Sequence, residues 1–439
     1  MKKKGISKKP KPKIIPRPSH NVSRDEISRS ALKVLYRLHK SGYRAFLVGG
    51  GVRDALLGLH PKDFDIATDA HPDEVRALFA NCRLIGRRFR LAHIRFGREI
   101  IEVATFRAAA DKAAKIPDVL HDEEGRILRD NVYGKIDEDV WRRDFTCNAL
   151  YYDISDFSIW DYVGGVEDIR KRKLVMIGNP DRRLREDPVR MLRAVRFAAK
   201  LDFEIDETIA ISIAKNHQLL SNVPPARLFD EFLKMFQAGN SEKTFSLLRK
   251  FDLFKMLFPE TDKRIKEDDQ FLKFIHAALQ NTDDRIDKGQ SVTPMFLLGV
   301  FLWGPVEKRA ERLQVKENMS VIQALTVASY EISGLQQAHI SIPRRFTMPM
   351  REMLAMQPRF EKRRGKRALR LLDHRRFRAA YDFMMLRARC SEVDTDIADF
   401  WTEVQKQTAD QRRVSFAVQR QARSGKSRHP HWRRKSRVN

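Results

Sequence analysis

Asp63 and Asp65 are separated by a single residue, Phe64. In an extended strand, residues two apart project from the same face, so their carboxylates converge. Two like charges side by side are poorly tolerated unless a cation neutralises them. A pair of Mg²⁺ ions held this way can bind a triphosphate and activate an attacking hydroxyl. Taken alone, the pattern equally describes two solvated acids at a strand edge. Its neighbours alter that balance. The run Gly49-Gly50-Gly51-Val52-Arg53-Asp54 precedes it, a glycine turn leading from a strand into a helix. Glycine lets backbone N–H groups approach a phosphate, and a helix N-terminus adds positive potential. Arg53 falls in the first turn of that helix, within reach of the same anion. An ordinary flexible connection is the plainer alternative. A Walker-type loop is excluded, because no Gly-Lys-Ser/Thr follows.

A third carboxylate should complete such a metal site, and two candidates compete. Glu102 interrupts the apolar run Ile100-Ile101-Glu102-Val103, where an acid needs a partner. Asp144 follows Arg142 and Arg143, two arginines suited to phosphate but also to a surface salt-bridge set. Further on, Glu186-Asp187-Pro188-Val189-Arg190-Met191-Leu192-Arg193 opens a helix, with Asp187 as the expected N-cap and Pro188 at its first position. Val189, Leu192, Val195 and Ala199 form its apolar stripe. Arg190 and Arg193 lie three apart, on a face shared with Asp187. An acid and an arginine so placed can hydrogen-bond the edge of a base while the second arginine holds phosphate; helix capping alone is the simpler account.

The elements that must position these groups follow from periodicity and punctuation. Helical spacing runs over residues 23–39, with Ile27, Ala31, Val34, Leu35 and Leu38 on one side. Short strands are predicted at residues 46–48 and 63–67, with a helix over 52–57 between them. A Pro-initiated helix follows at 72–80. Residues 91–96 and 99–105, joined at Gly97-Arg98, predict a β-hairpin. The polar, aperiodic stretch 108–129 predicts a mobile loop. A helix is expected over 137–148, then strands at 150–154 and 158–162. Beyond about residue 165 the pattern is helical, punctuated by Pro224-Pro225, Pro259 and Pro343. The fold class is therefore α+β: a small mixed head carrying a β-sheet, then an all-helical neck and body.

The 439 residues suffice for several domains. We expect a basic disordered arm at 1–24, a head at 25–165, a helical neck binding nucleotide and RNA at 166–260, a helical RNA-binding body at 261–400 and a mostly disordered basic tail at 401–439. Eighty-five Lys and Arg against 58 acids give a net charge of +27, which favours a polyanionic partner, nucleic acid before anionic membrane. The excess gathers at the ends: nine cations precede Asp25 and ten follow Asp410, with no carboxylate among either set. Three cysteines, Cys82, Cys147 and Cys390, are too few and too scattered for a disulfide framework or zinc cluster and fit a reducing cytoplasm. No apolar stretch backs the basic N-terminus, so no signal peptide is expected. The apolar run at 295–303 is too short to span a bilayer and predicts a buried helix.

Taken together, these motifs resemble the class II polymerase-β-like nucleotidyltransferases, comprising tRNA CCA-adding enzymes and bacterial poly(A) polymerases. The resemblance covers residue 46 to about 259. It includes Leu47-Val48-Gly49-Gly50-Gly51-Val52-Arg53-Asp54, Asp63-Phe64-Asp65, Arg142-Arg143-Asp144-Phe145-Thr146-Cys147-Asn148-Ala149-Leu150, and Asp161-Tyr162-Val163-Gly164-Gly165 with Asp168. The run from Glu186 to Phe197 and Pro224-Pro225-Ala226-Arg227-Leu228 also fit. The resemblance implies a polymerase-β-like head, Asp63 and Asp65 as metal-binding acids, and Gly50 and Arg53 on the triphosphate. It implies Arg143, Arg190 and Arg193 on the nucleotide, and Asp187 with Arg190 reading the base. Asp144 is the third acid often assigned in poly(A) polymerases; geometry keeps Glu102 as the alternative third metal ligand, with Asp144 serving the ribose. The stretch Leu84-Ile85-Gly86-Arg87-Arg88-Phe89-Arg90-Leu91-Ala92-His93-Ile94 is similar to the poly(A) branch. So are Arg364-Gly365-Lys366-Arg367-Ala368, Phe377-Arg378-Ala379-Ala380-Tyr381-Asp382 and the basic tail.

The resemblance thus implies a polynucleotide adenylyltransferase. It would use ATP and Mg²⁺, two ions with Mn²⁺ able to substitute, to extend RNA 3′ ends in RNA processing and decay. CCA addition to tRNA is the alternative, and a catalytically silent RNA-binding protein the reading from another class. The basic ends suit RNA, or RNA-decay and RNA-chaperone proteins; DNA and a transmembrane segment are not expected. The location implied is the cytoplasm.

Overall fold

The computed structural model describes residues 11–86, 90–108 and 132–417, together with two short strands, Leu120–His121 and Ile127–Arg129, that pair with each other. The chain divides into two compact units, residues 1–297 with 333–343 and residues 298–332 with 344–439. Head and neck therefore belong to one unit, and the division falls at 297/298 rather than at the expected 165/166 or 260/261.

The first unit is built on an eight-stranded sheet. Numbered in chain order, its strands are β1 Lys13–Ile15, β2 Ala45–Val48, β3 Asp65–Thr68, β4 Cys82–Ile85, β5 Leu91–Phe96, β6 Glu99–Thr105, β7 Leu150–Asp153 and β8 Ile159–Asp161. Their spatial order is β1-β8-β7-β2-β3-β6-β5-β4. Only β3 and β6 pair in parallel; the other neighbours are antiparallel. β2 is buried along its whole length, as a central Ala-Phe-Leu-Val strand should be. Phe46 packs among Phe106, Tyr151 and Trp160. The hairpin of β5 and β6 has the expected bounds, and Gly97 takes a positive φ of 60° at its turn.

Several elements differ from expectation. Residues 11–24 are not a free arm: β1 adds to the sheet edge through β8, and Val22 is fully buried. Helix Arg29–Lys40 begins six residues late, because Ser28 caps it by accepting from the Ala31 N–H. β4 has no periodic signal, being a four-residue edge strand with alternating partial exposure. Residues 109–119, 122–126 and 130–131 of the expected loop lie outside the described residues.

The expected helix over 137–148 is broken. A turn of α-helix, Ile136–Asp139, passes into the 3₁₀ turn Val140–Arg142, and Arg143 is extended. The cause is competition for backbone partners: Thr146 N–H donates to the Val175 carbonyl and Ile177 N–H to that of Asp144. Gly165 makes this pairing possible, since a Cβ there would lie 2.2 Å from the Thr146 carbonyl oxygen. The neighbouring Asp161 is a structural acid. Its Oδ1 accepts from the N–H groups of Val163, Gly164 and Gly165, and its Oδ2 from Val166.

Among the described residues beyond 165 the chain is helical apart from one two-residue strand pair, Lys173–Leu174 with Glu204–Ile205. The apolar run at 295–303 lies in helix Pro294–Glu317, which continues through Pro305. No helix among the described residues is long and apolar enough to cross a membrane. In the second unit, the tail is ordered further than expected. Helix Thr395–Lys406 packs Trp401 against Phe360 and Phe377, and Phe416, just after helix Ala409–Ser415, packs against Phe400 and Trp401. Trp401 donates its indole N–H to the Phe360 carbonyl, and Gly365 N–H donates to that of Phe416. Residues 418–439, carrying the last eight cations, lie outside the described residues.

Candidate active site

A cleft of about 840 Å³ in the first unit is lined by Gly49, Gly50, Arg53, Asp63, Asp65, Arg143, Asp144, Asp187, Arg190 and Arg193. These are all of the expected site residues except Glu102. Eleven Lys and Arg side chains line it against six acids, the balance an anionic ligand requires.

One wall begins where β2 ends. Gly49 has φ 72° and ψ −131°, a conformation strained for any side chain, and turns the strand directly into helix Gly50–Leu56. A Cβ at Gly49 would stand 3.8 Å from Arg143 Nη1 and 3.9 Å from Asp65 Oδ2, so the turn sits between cation and acid. Gly51 has a different task, letting the helix approach the Asp63 carbonyl. Arg53 is buried and fully engaged: Nε and Nη2 donate to Asp54 Oδ1 and Nη1 to Asn148 Oδ1. Its Nη2 lies 3.5 Å from where a Cβ on Gly50 would stand, so it sits against the glycine turn.

Asp65 starts β3, whereas Asp63 lies two residues ahead of it, outside any strand, so the strand is shorter than the alternation predicted although both acids line the cleft. Asp65 has Glu102 as its direct partner across the parallel β3–β6 pair. Its oxygens open on the cleft, yet the packed surroundings displace enough water to matter. Burial first, then the charges of Glu102 and Asp63, push its carboxyl up to about 6 against the opposing pull of Arg143. The three carboxylates therefore sense one another, and a divalent cation would remove that repulsion. Among the described residues no three such groups form a ready-made ligand cage. Oxygen donors at this density suit an ion that also takes ligands from water and substrate phosphates.

The opposite wall is arginine-rich. The break in the expected 137–148 helix sends consecutive residues in opposite directions. Arg143 turns to the sheet, where Nε donates to the Tyr151 hydroxyl at 2.8 Å and Nη2 pairs with Asp139. Burial opposes its charge, but Tyr151 and Asp139 raise its pKa further. Asp144 turns to helix Val189–Leu201 and meets Arg190 at 2.7 Å, Arg193 at 2.8 Å and Arg183 at 3.8 Å. Burial alone would raise its carboxyl, but these three guanidiniums hold it below the usual range. Arg142, by contrast, is pushed down to about 10 by burial and by Arg107 and Arg183. The two rival third acids thus sit in different surroundings, Glu102 beside Asp65 and Asp144 inside an arginine cluster.

Asp187 ends helix Pro180–Glu186, and the next helix starts at Val189 with Pro188 as its cap, one residue later than expected. The expected stripe of Val189, Leu192, Val195 and Ala199 is buried. The Asp187 carboxylate is clamped by both terminal nitrogens of Arg227, at 2.9 and 2.7 Å.

Comparison with known proteins identifies relatives of the chain. The sequence matches the family described as "Poly A polymerase head domain" over residues 45–175 and the "Polymerase A arginine-rich C-terminus" over 317–437. Residues 202–265 match a segment described as "Probable RNA and SrmB- binding site of polymerase A". Poly(A) polymerase I of Salmonella typhimurium is 47% identical over 402 residues, covering 89% of this chain and 85% of that protein. The chain belongs to the poly(A) polymerase family. A CCA-adding enzyme of Lactobacillus helveticus is 37% identical, but over only 49% of this chain and 52% of its own. Among solved structures, the CCA-adding enzyme of Bacillus stearothermophilus in complex with CTP aligns with a TM-score of 0.55 and 23% identity, covering 85% of this chain and 82% of that one. That likeness concerns the fold.

Placed within this family of nucleotidyltransferases, the cleft holds residues to which the sequence alone assigned no individual role. Arg227 belongs to the motif Pro224-Pro225-Ala226-Arg227-Leu228, but nothing local says that it clamps Asp187 forty positions away. Arg183 donates to the carbonyls of Arg142 and Arg143, fixing the break from which both site residues depart. Asn148 anchors Arg53. Each of these acts across the tertiary structure, where local spacing carries no signal.

Proposed function

We propose that the protein transfers AMP from ATP to the 3′-hydroxyl of RNA without a template, releasing pyrophosphate. The observation that supports this best is a single cleft with carboxylates at one wall and arginines together with Asp187 at the other. Asp63, Asp65 and Glu102 would hold two Mg²⁺ ions, Mn²⁺ serving in their place. When bound, these supply Lewis acidity, lowering the hydroxyl's pKa and offsetting charge on the phosphates. The Gly49–Gly50 turn and Arg143 would receive the triphosphate, with Arg53 set against that turn. Asp187 accepts and Arg190 donates, the complement of an adenine edge with its amino donor and ring-nitrogen acceptor. A cytosine edge offers the same order, so the choice between them depends on how far apart the two groups are held. The Arg227 clamp on Asp187 and the Asp144 pair on Arg190 fix that separation.

Each nucleoside triphosphate is to be offered with a generic RNA and with a tRNA lacking its 3′ end. Long A tails on the generic RNA, poor use of CTP and no need for a tRNA-shaped acceptor are expected. Efficient CTP incorporation that stopped once CCA was complete would establish CCA addition instead. The setting we propose is cytoplasmic RNA processing and decay.

The C-terminal cations beyond Ala417 would bind RNA phosphates non-specifically. Truncation must spare Arg412, which donates to the carbonyls of Val404 and Gln405, and the buried Phe416. Ending the chain at Ala417 should weaken RNA binding and flatten its logarithmic salt dependence, by about 0.7 for each single-strand phosphate that the tail no longer neutralises. Turnover at saturating RNA should barely change. An unaltered salt slope would assign the tail to a protein partner.

A further inference from the structure

We infer that the open face of β4, β5 and β6 beyond Glu102 receives the 3′-terminal nucleotides of the acceptor RNA, an assignment that rests on the adenylyl-transfer reading above. Direct cross-strand partners point to the same face of a sheet. Asp65 pairs with Glu102, Glu102 with His93, and His93 with Arg83, so one row crosses β3, β6, β5 and β4. The nucleotide cleft opens at the Asp65 end of this row. At the other end is a separate hollow of about 650 Å³, lined by Arg83, Ile85, His93, Arg95 and Ile100 among others, and sharing no residue with the cleft. His93 links the two ends, its Nε2 lying 3.2 Å from Glu102 Oε1.

In-line displacement requires the attacking oxygen to arrive opposite the departing pyrophosphate. The groups suited to the triphosphate, the Gly49 turn, Arg53 and Arg143, all gather on the β2 side of Asp65. The acceptor must then come from the side of Glu102 and His93. The chemistry there fits a nucleic-acid strand. Arg83 and Arg95 are exposed, and among the described residues neither guanidinium meets a carboxylate, whereas Arg143, Arg183, Arg190, Arg193 and Arg227 are each paired with an acid. Ile85 and Ile100 are 39% and 43% exposed on the same face, offering an apolar bed to sugar and base. β4 is the last strand of the sheet.

The test is the full-length double variant Arg83→Ala/Arg95→Ala with a short oligoadenylate acceptor. Its acceptor KM should rise about tenfold or more, and the salt slope of RNA binding should shrink by about 1.4 if the two arginines each neutralise one phosphate. ATP binding measured without RNA, kcat at saturating acceptor and thermal unfolding should stay near those of the unaltered protein, because both side chains are exposed. An RNA carrying a photoreactive thiouridine at its 3′ end should crosslink within residues 82–102. An unchanged acceptor KM and salt slope, or crosslinks confined to other segments, would overturn the assignment. Failure of the unaltered protein to extend RNA with ATP would overturn the adenylyl-transfer reading beneath it, a result distinguishable from either.

Discussion

Asp65→Asn is expected to cost on the order of 10³-fold or more in AMP transfer, and Asp63→Asn a comparable amount. An amide keeps the shape of the carboxylate but removes the charge that a divalent ion would bind. The fold should survive either change. Burial and the neighbouring charges of Glu102 and Asp63 already push the Asp65 carboxyl up to about 6, so its charged form is a burden to the folded state. The sign follows from linkage. A carboxyl whose folded pKa is raised makes the folded state bind more protons than the unfolded one, so stability falls as pH rises between about 3.8 and 6. At pH 7 without divalent ions, Asp65→Asn should therefore unfold at a slightly higher temperature than the unaltered protein. That advantage should fade as the pH drops below about 4. Near-native turnover in either variant would remove the proposed metal site.

Asp144 and Glu102 should fail in different ways when altered. Asp144 is a buried acid facing three guanidiniums. Removing one partner of such a set leaves uncompensated charge, and Asp144→Ala should lose about 3–5 kcal/mol of stability. In the protein that remains folded, Arg190 and Arg193 lose the counter-charge that aims them. The ATP KM should then rise by roughly 10- to 100-fold while the Mg²⁺ requirement stays put. Glu102 is half exposed beside Asp65 and carries no such load. Glu102→Gln should leave stability almost unchanged, lower the rate and raise the Mg²⁺ concentration needed for half-maximal activity. Titrating ATP and Mg²⁺ against both variants, with thermal unfolding alongside, separates the two roles. The reverse pattern would make Asp144 the metal ligand and Glu102 the positioning acid.

Much of this site was legible along the chain because its parts are local. The glycine turn after β2, the acids just beyond the next helix, and the Arg190–Arg193 pair one helical turn apart each follow from backbone periods of two or 3.6 residues. The α+β order was legible for the same reason, since buried strands and amphipathic helices print their periods directly. What spacing could not supply was the partner of each side chain. Asp63 and Asp65 looked like neighbours on one strand face, but β3 begins only at Asp65, and the acid it shares a row with is Glu102 on a parallel strand. Residues 137–148 read as one helix, yet their backbone pairs with 175–177, and that pairing alone turns Arg143 to the sheet and Asp144 to the helix of Arg190. The basic ends read as free arms because composition cannot report a sheet edge awaiting Lys13–Ile15 or an aromatic cluster awaiting Phe416. The sequence determined which charged and flexible groups exist and roughly which element carries each. Only the tertiary structure decided which charges neutralise one another, because a carboxylate's partner is chosen by distance in space and the desolvation that comes with it.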